Sequence, residues 1–374
     1  MKIPKRYRRG LRIGGVVAGI AAGGLLLVGI GFVGTMWMRE WRPEAVETIY
    51  TSHADENSAM LRRGDTLRIV SWNIGYAGLG DDMDFFYDGG SRVRTSRSRT
   101  AENLAGIVDF LLRGEEAGDT VYKADFIWLQ EVDIDSRRSY RMNEFDSIRN
   151  ALSGAGYVGW HGLNYVSDFV PIPLGEPMGR VESGIAVFSR WRPAHVVRYS
   201  YPGGFSFPVR LFNLKRCLLS VAIPVRDTAD GSRVDTLFIN NTHNTAYDTG
   251  GMRSGELAFL RAFVSGKRYS ITMGDWNCTP PGYRPSREAL NDPYFSPLAI
   301  DSTMFAAERM TFVYDSTIPS VRYGYEPYRT GHTATTLLDF ALCSAAVEPI
   351  AVRTIDLGFK NSDHNPVVAT FVIR

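Results

Sequence analysis

The sequence predicts an α/β fold in which mixed sheets pack against each other with helices outside, preceded by one N-terminal transmembrane helix. Short apolar runs typical of strands recur from residue 65 to the C-terminus, and they outnumber the helical patterns. The helical patterns lie between the strands rather than in a separate block, which is typical of packed sheets covered by helices. The transmembrane prediction depends on residues 13–38, which carry no charge.

The N-terminal segment is predicted to be an uncleaved signal anchor. Residues 1–12 form a stub rich in lysine and arginine, and residues 13–38 exceed the about 20 apolar residues that a bilayer core requires. A cleaved signal peptide is the alternative, but its apolar region is about 7–15 residues long and ends at a small-residue cleavage site. Neither feature is present here. Because basic flanks stay on the cytoplasmic side, the rest of the chain is expected on the extracytoplasmic, periplasmic side.

The remainder of the chain is predicted to be a stalk followed by one domain. Residues 39–64 have no clear periodicity and are expected to form a juxtamembrane stalk. Residues 65–374 contain no internal repeat, no low-complexity tract and no obvious linker, which indicates one large catalytic domain. Its strands are predicted in LRIVSWNI, ADFIWLQEV, SGIAVFSR, CLLSVAIPV, TLFINNTH, YSITMGDWN, TLLDFALC and PVVATFVI.

Three helices are predicted between these strands. In SRTAENLAGIVDFLLRG, apolar residues from Leu104 to Leu112 follow the spacing of one helix face, and Gly114 marks the end. Two further amphipathic patterns end at Gly154 and Gly266. Alternating strands and helices of this kind place the helices on the outer faces of the sheets.

Composition excludes several classes of function. The formal net charge of +2 indicates no polyanionic partner by itself, so any such preference must come from local clusters. The three cysteines are scattered and form no CxxC pair, so neither a zinc site nor a redox site is predicted. They are expected to be buried free thiols.

Polar side chains end most of the predicted strands, and we expect them to converge at one rim of the sheets. A single polar residue at a strand end is usually a turn residue, but this chain repeats the feature in six segments. Rigid elements hold such groups in place, so sites are commonly built there. The set comprises Asn73, Glu131, His243, Asp275, Asn277, Asp339, Asp363 and His364.

The chemistry of this set suits a hard divalent cation beside a phosphate. Carboxylates of Glu131 and Asp363, with the amide oxygen of Asn73, are the ligands that Mg²⁺ prefers, and several waters complete its coordination. His364 can act as general base on a water if Asp339 fixes its tautomer. His243 can hold a phosphoryl oxygen or donate a proton to the leaving group.

The order of these motifs resembles the endonuclease/exonuclease/phosphatase superfamily. The matching series is W-N-I, Q-E, T-H-N, G-D-W-N, L-D-F and S-D-H-N-P, and it extends from about residue 67 to the C-terminus. The superfamily includes pancreatic-type deoxyribonucleases, abasic-site endonucleases, neutral sphingomyelinases and inositol polyphosphate phosphatases. The resemblance implies a four-layered α/β/β/α sandwich of two mixed sheets.

The resemblance also implies roles for the residues that match. Glu131 matches a metal ligand and Asn73 lies near the metal, while Asp275 and Asn277 orient the nucleophile and the phosphate. His243 stands where deoxyribonucleases and sphingomyelinases use histidine. We therefore predict a site for Mg²⁺ or Mn²⁺ at Asn73, Glu131 and Asp363, and catalytic residues His243, Asp275, Asn277, Asp339 and His364. Whether Asp275 or His364 takes the proton stays open.

The substrate is predicted less sharply than the chemistry. Two basic clusters are expected to meet phosphate, and they comprise Arg92, Arg94, Arg97, Arg99, Lys215 and Arg216. They favour a phosphodiester hydrolase, an endonuclease or exonuclease acting on nucleic acid by in-line attack of water. The alternative is a lipid or inositol-phosphate phosphoesterase, since the chain is tethered beside lipid head groups. A non-catalytic module that binds phosphate is the third hypothesis.

Overall fold

The computed structural model describes most of the chain. It describes residues 5–52, 60–113, 115–117, 120–227, 234–248 and 250–374, with backbone alone for residues 5–15, 115–117 and 120–122. The first four residues of the basic stub, the side chains up to residue 15 and residues 53–59 of the expected stalk lie outside this description. Within the described residues the chain forms 20 strands and five α-helices, numbered here in chain order.

The first sheet is mixed and has eight strands. Its order is β1-β9-β10-β11-β12-β18-β15, and β2 pairs with β10. Strands β11 and β12 run parallel to each other, whereas β12 and β18 are antiparallel. The strands are β1 (Val46–Thr51), β2 (Leu61–Arg62), β9 (His195–Ser200), β10 (Cys217–Arg226), β11 (Val234–His243), β12 (Tyr269–Asp275), β15 (Thr311–Val313) and β18 (Asp339–Cys343).

The second sheet is also mixed and has six strands in the order β19-β20-β3-β6-β8-β7. Only β3 and β6 are parallel neighbours in it. The strands are β3 (Thr66–Asn73), β6 (Phe126–Asp133), β7 (Val158–Val170), β8 (Gly179–Ser189), β19 (Val347–Thr354) and β20 (Val367–Ile373). Three short pairs stand apart: β4 (Glu115–Ala117) with β5 (Thr120–Tyr122), β13 (Cys278–Thr279) with β14 (Leu298–Ala299), and β16 (Val321–Arg322) with β17 (Thr335–Thr336).

The two sheets pack face to face around the main core. Alternate residues of β3 and β6, such as Leu67, Ile69 and Trp128, meet Leu219 and Ile271 of the first sheet. This alternation arises because successive side chains of a strand point to opposite faces. All are almost fully buried, so the inner faces of the two sheets form one continuous apolar layer.

Helices cover the outer faces, which confirms the predicted four-layered α/β/β/α sandwich. Ile107 of α2 (Arg97–Arg113) and Ile148 of α3 (Glu144–Ser153) pack on the second sheet. Leu260 of α4 (Met252–Val264) packs on the first sheet. A short helix, α5 (Arg287–Leu290), follows β13. Three 3₁₀ turns, Gly75–Ala77, Phe86–Asp88 and Val209–Phe212, lie in the loops.

The N-terminal helix α1 (Lys5–Met38) contains one stretch, Val16–Met38, that is long and apolar enough to cross a membrane. Its mean hydropathy of 2.4 results from the uncharged run noted in the sequence. The last turns of α1 contact the sandwich, and Met36 is buried there.

The segment expected to be a stalk, residues 39–64, differs from that expectation. It supplies β1, which pairs antiparallel with β9, and β2, which pairs with β10. Strand β1 lies at the sheet edge and most of its side chains are exposed, so its sequence lacks the apolar alternation that marks a buried strand. The first sheet therefore begins before residue 65.

Candidate active site

The predicted polar residues meet because the strand ends that carry them lie at one rim of the sandwich. In the second sheet, the parallel strands β3 and β6 bring Asn73 beside the Gln130–Glu131 segment. In the first sheet, parallel pairing aligns His243 with Asp275, and antiparallel pairing aligns Asp275 with Asp339. Parallel neighbours end at the same edge, so pairing alone collects these groups.

Asn73 connects the two sheets at the centre of the site. Its Nδ2 donates hydrogen bonds to Asp275 Oδ2 at 3.1 Å and to Glu131 Oε1 at 3.3 Å. Its Oδ1 accepts from the amide N of Gly75 at 3.0 Å, which fixes the orientation of the amide. Asn73 and Asp275 are buried, so their bond forms with little competition from water.

His364 is paired with a buried carboxylate. Its Nδ1 lies 2.7 Å from Asp339 Oδ2, which also accepts from Ser320 Oγ at 2.7 Å. The other ring nitrogen, Nε2, faces Asp275 Oδ2 at 3.8 Å. Burial alone would lower the pKa of His364, but the carboxylates of Asp339 and Asp275 raise it to about 10. The imidazole is therefore held in its charged form at neutral pH.

His243, in contrast, is uncharged. Its Nε2 lies 3.4 Å from Asp275 Oδ2 and 3.9 Å from Glu131 Oε1. Burial and the neighbouring cations of Arg216 and His364 lower the pKa of His243 well below its usual value. The site thus holds one neutral and one charged imidazole, both near Asp275. One of the two rings can accept a proton while the other donates one.

Asp275 and Asn277 are held by the turn that follows β12. Asp275 Oδ1 accepts from the backbone N of Asn277 at 2.9 Å, and Asn277 Nδ2 donates to the carbonyl O of Asn244 at 2.8 Å. Asn277 has φ 47°, a left-handed conformation that asparagine adopts more readily than most residues. Burial raises the pKa of Asp275 to about 6, so this carboxyl can exchange a proton near neutral pH.

Glu131 and Asp363 are the two carboxylates that the sequence predicts to hold a metal ion. Burial, with the like charge of Glu131, raises the pKa of Asp363 to about 7, although the His364 cation opposes the shift. Within the described residues no three His, Cys, Asp or Glu side chains form a preformed metal cluster. Two carboxylates that repel each other, with an amide beside them, do fit a hard divalent cation that keeps several waters.

These residues line a cavity of about 180 Å³ whose outer wall is largely apolar. Seven of the eight predicted catalytic and metal residues border it, and Asp339 lies behind His364. The apolar wall comprises Leu79, Phe85, Tyr87, Tyr165, Met178, Phe205, Leu214, Tyr247, Phe295 and Tyr323. A small polar centre within an apolar wall is typical of sites that bind one small group in a fixed orientation.

The arginine loop predicted to contact substrate is engaged elsewhere. Arg92 pairs with Asp84, Arg94 with Glu176 and Arg99 with Asp81 and Asp82. Arg97 is exposed, and none of the four borders the cavity.

The second basic cluster is divided between the site and its surroundings. Arg216 borders the cavity and donates to the carbonyl O of His243 at 3.1 Å. Lys215 instead pairs with Glu40 at 3.0 Å, just beyond the end of α1. Of the six predicted basic residues, the structure therefore brings Arg216 alone to the cavity.

Sequence reasoning missed several groups that support the site, among them Ser320 and Arg138. Ser320 bonds to Asp339, and nothing in its local sequence marks it. Arg138 makes a bidentate ion pair with Asp133 at 3.1 and 2.9 Å and stacks on the ring of Tyr76, and it borders the same cavity as Glu131. The signal available for this pair was Asp133 itself, because an acid at the end of a buried strand requires a partner.

Comparison with known proteins identifies the family and the fold. The model of the Endonuclease/Exonuclease/phosphatase family matches residues 70–364. No curated protein matches the sequence. The solved structure of an endonuclease/exonuclease/phosphatase from Beutenbergia cavernae DSM 12333 aligns with a TM-score of 0.54 and 20% identity, over 83% of this chain and 72% of that chain.

A second solved structure, the endonuclease/exonuclease/phosphatase from Bacteroides vulgatus, aligns with a TM-score of 0.50 and 15% identity over 83% of this chain and 100% of that chain. At these identities the structural likeness shows a shared fold. The family match covers most of the chain, including all eight residues of the rim, and the chain therefore belongs to the endonuclease/exonuclease/phosphatase family, whose members are phosphoesterases.

Proposed function

We propose that this protein is a divalent-metal-dependent phosphodiester hydrolase. The observation that carries the proposal is the convergence of Asn73, Glu131, His243 and Asp275, joined by side-chain contacts of 3.1 to 3.9 Å, beside the His364–Asp339 pair. A module that only binds phosphate needs cations. It does not need a buried carboxyl group with a pKa of about 6 that lies near one neutral and one charged imidazole.

The metal would be held by Glu131 and Asp363, with Asn73 beside them. When bound, Mg²⁺ or Mn²⁺ supplies charge that neutralises the phosphoryl oxygens and stabilises the leaving oxygen. The protein's own contribution is to hold these two carboxylates in a partly dry site, where their mutual repulsion favours a cation between them.

Asp275 is proposed as the acceptor of the proton from the attacking water. His364 is less suited to that role, because its Nε2 faces a carboxylate and its Nδ1 is bonded to Asp339, which together keep the ring protonated. The charged ring instead attracts the phosphoryl oxygens and keeps them in line with the attacking water.

His243 and Asn277 are proposed to contact the phosphate as neutral groups. Neutral His243 donates a hydrogen bond from Nε2 without adding charge, and it stands close to both Asp275 and Glu131. Asn277 borders the same cavity and is fixed by its bond to Asn244.

One feature of the cavity supports the hypothesis that the substrate is a nucleic acid: bases can stack on its aromatic wall. The arginine loop no longer supports it, because three of its four arginines are paired with carboxylates. A lipid or inositol phosphoester is the second candidate. It is favoured by a side pocket that adjoins the cavity and is bordered by Glu40, Arg42 and Pro43, directly after α1.

One substrate panel tests the proposal and separates these candidates. The full chain in lipid nanodiscs is assayed with Mg²⁺ or Mn²⁺ on bis(p-nitrophenyl) phosphate, duplex and single-stranded DNA, RNA, sphingomyelin and inositol phosphates. We expect turnover that EDTA abolishes and that Glu131→Ala and His243→Ala lose, with unchanged melting temperatures. Failure to hydrolyse any member, or turnover that survives in Glu131→Ala, contradicts the proposal.

We also propose that α1 is retained as a membrane anchor, with the basic stub in the cytoplasm and the sandwich on the extracytoplasmic side. Phe32 and Met36 pack on the sandwich, and this supports retention, because cleavage after α1 would expose the apolar surface of the sandwich that they cover. The mass of the intact membrane-bound protein tests this: a mass lacking residues 1–38 contradicts it.

A further inference from the structure

The end of α1 and an apolar tip of the sandwich form one continuous surface. The tip consists of the end of β7, the loop that connects β7 to β8, and the segment that leads into and begins the 3₁₀ turn Val209–Phe212. It exposes five large apolar side chains, which we call the apolar tip: Phe169, Ile172, Leu174, Phe207 and Val209.

Aromatic contacts join this tip to α1. The ring of Phe32 stacks on Phe212 with 5.8 Å between centroids and an interplanar angle of 5°, and it meets Phe169 edge-on at 6.1 Å. Further along the chain, just beyond the helix end, Arg39 forms an ion pair with Asp168 at 2.6 Å. The helix is thus held against the sandwich at the base of the tip.

The two parts of the tip are also held to each other. Tyr165 Oη donates to the carbonyl O of Phe212 at 2.8 Å, and Ser167 Oγ donates to the carbonyl O of Leu211 at 3.3 Å. Because both segments are fixed to β7, the tip has a defined position relative to α1.

These contacts determine the depth of the tip relative to a bilayer. The apolar stretch of α1 ends at Met38, and Phe32 lies six residues before that end, about 9 Å along the axis at 1.5 Å per residue. The uncharged run of residues 13–38 has 26 residues and is about 39 Å long as a helix, about 9 Å more than the hydrocarbon core. Phe32, and with it Phe169 and Phe212, therefore lies at or inside the edge of the hydrocarbon.

The exposure of the tip fits this depth. Leu174 is 89% exposed and Phe207 is 54% exposed, and grouped apolar side chains of this kind mark interaction sites when they occur on soluble surfaces.

We propose that the apolar tip inserts into the same membrane leaflet from which α1 emerges and seats the sandwich directly on the bilayer surface. The proposal goes beyond phosphoester hydrolysis and rests on α1 as the membrane anchor. It has a consequence for access to the site. The side pocket bordered by Arg42 shares Phe205, Leu214 and Arg216 with the cavity, so the site opens at the level of the lipid head groups.

Fluorescence quenching in nanodiscs tests the insertion on the full chain. The three native cysteines are buried, so single cysteines introduced at exposed positions can be labelled selectively with an environment-sensitive dye. Leu174→Cys and Phe207→Cys report on the tip, and Val28→Cys, which is 70% exposed on α1, reports on the anchor. Ile350→Cys is the matched control, because it is 54% exposed on β19, at the opposite edge of the second sheet from β7.

Lipids that carry a nitroxide near the head-group end of the acyl chain should quench the Leu174 and Phe207 probes and shift their emission to the blue, while the Ile350 probe keeps its emission. Quenching of Val28 by deep nitroxides without quenching of the tip probes overturns the insertion and leaves the anchor intact. An unquenched Val28 probe overturns the anchor and the insertion with it. Equal quenching at Ile350 overturns the assignment to the tip. Unchanged hydrolysis of bis(p-nitrophenyl) phosphate verifies that each labelled chain is folded.

Discussion

Replacing Asp339 with asparagine tests whether this carboxylate contributes to catalysis by keeping His364 charged. The amide side chain keeps the shape of the carboxylate and can still accept from His364 Nδ1 and Ser320 Oγ, but it lacks the negative charge that stabilises the imidazolium. A hydrogen bond to a charged group contributes about 1.5–3 kcal/mol and a neutral one about 0.5–1.5 kcal/mol. Because the pair is buried, loss of the direct Coulomb attraction brings the total to about 2–4 kcal/mol.

We therefore expect kcat of Asp339→Asn to fall by about 30- to 1000-fold, since each 1.4 kcal/mol corresponds to tenfold. The assay is hydrolysis of bis(p-nitrophenyl) phosphate under saturating Mn²⁺, with His364→Gln and the double variant completing a cycle. Because Asp339 acts through His364, the double variant should be about as slow as His364→Gln alone. Full additivity of the two changes, or a kcat of Asp339→Asn within about threefold of wild type, refutes the reasoning.

Three further predictions concern the metal, the fold and the substrate. Glu131→Gln should weaken Mn²⁺ binding at least about tenfold in an electron paramagnetic resonance titration, and unchanged affinity would exclude this carboxylate as a ligand. Gly274→Ala should lower the free energy of unfolding by about 3 kcal/mol or more in urea denaturation, because Gly274 has φ 149° and an added Cβ would lie 2.0 Å from the carbonyl O of Thr242. Arg216→Ala should lower kcat/KM about tenfold, while Arg97→Ala should leave kcat/KM within about twofold of wild type. The reverse order would indicate that the arginine loop contacts the substrate.

The sequence predicted the central strands and the polar rim well because both follow from burial. Strands such as β6 and β12 are buried on both faces, so they are continuous apolar runs that end abruptly in polar groups. The eight predicted strands all occur, at the positions of β3, β6, β8, β10, β11, β12, β18 and β20.

The strands that were missed lie at or near sheet edges, where burial is partial. Strand β7 has 13 residues, but polar and glycine positions interrupt it, and its apolar residues do not alternate with a strict period of two. Strand β1 is mostly exposed, so a stalk and an edge strand have the same sequence pattern. Edge strands are defined by their partners, and pairing is a long-range property that local pattern does not contain.

The arginine loop shows a related limit. Its charge was visible in the sequence, and so were the aspartates of GLGDDMDFF that precede it by about ten residues, but only the folded loop pairs Arg92 with Asp84 and Arg99 with Asp81. A basic cluster predicts an anionic partner only if its positive charge exceeds the negative charge of the acidic residues nearby.

Backbone conformation at the rim explains why regular strand patterns break down there. Glu131 has φ 55° and Asn277 has φ 47°, conformations that cost non-glycine residues free energy. At Glu131 the register between β6 and β8 shifts from Leu129 to Val132, so one extra residue bulges out of the ladder. In a regular strand a residue next to Gln130 would alternate into the opposite face, whereas the bulge turns Glu131 toward Asn73 and the cavity. A strained backbone persists only when surrounding contacts hold it, and here the buried layers on both sides of β6 supply them, so the fold maintains the strain that aims the carboxylate at the site.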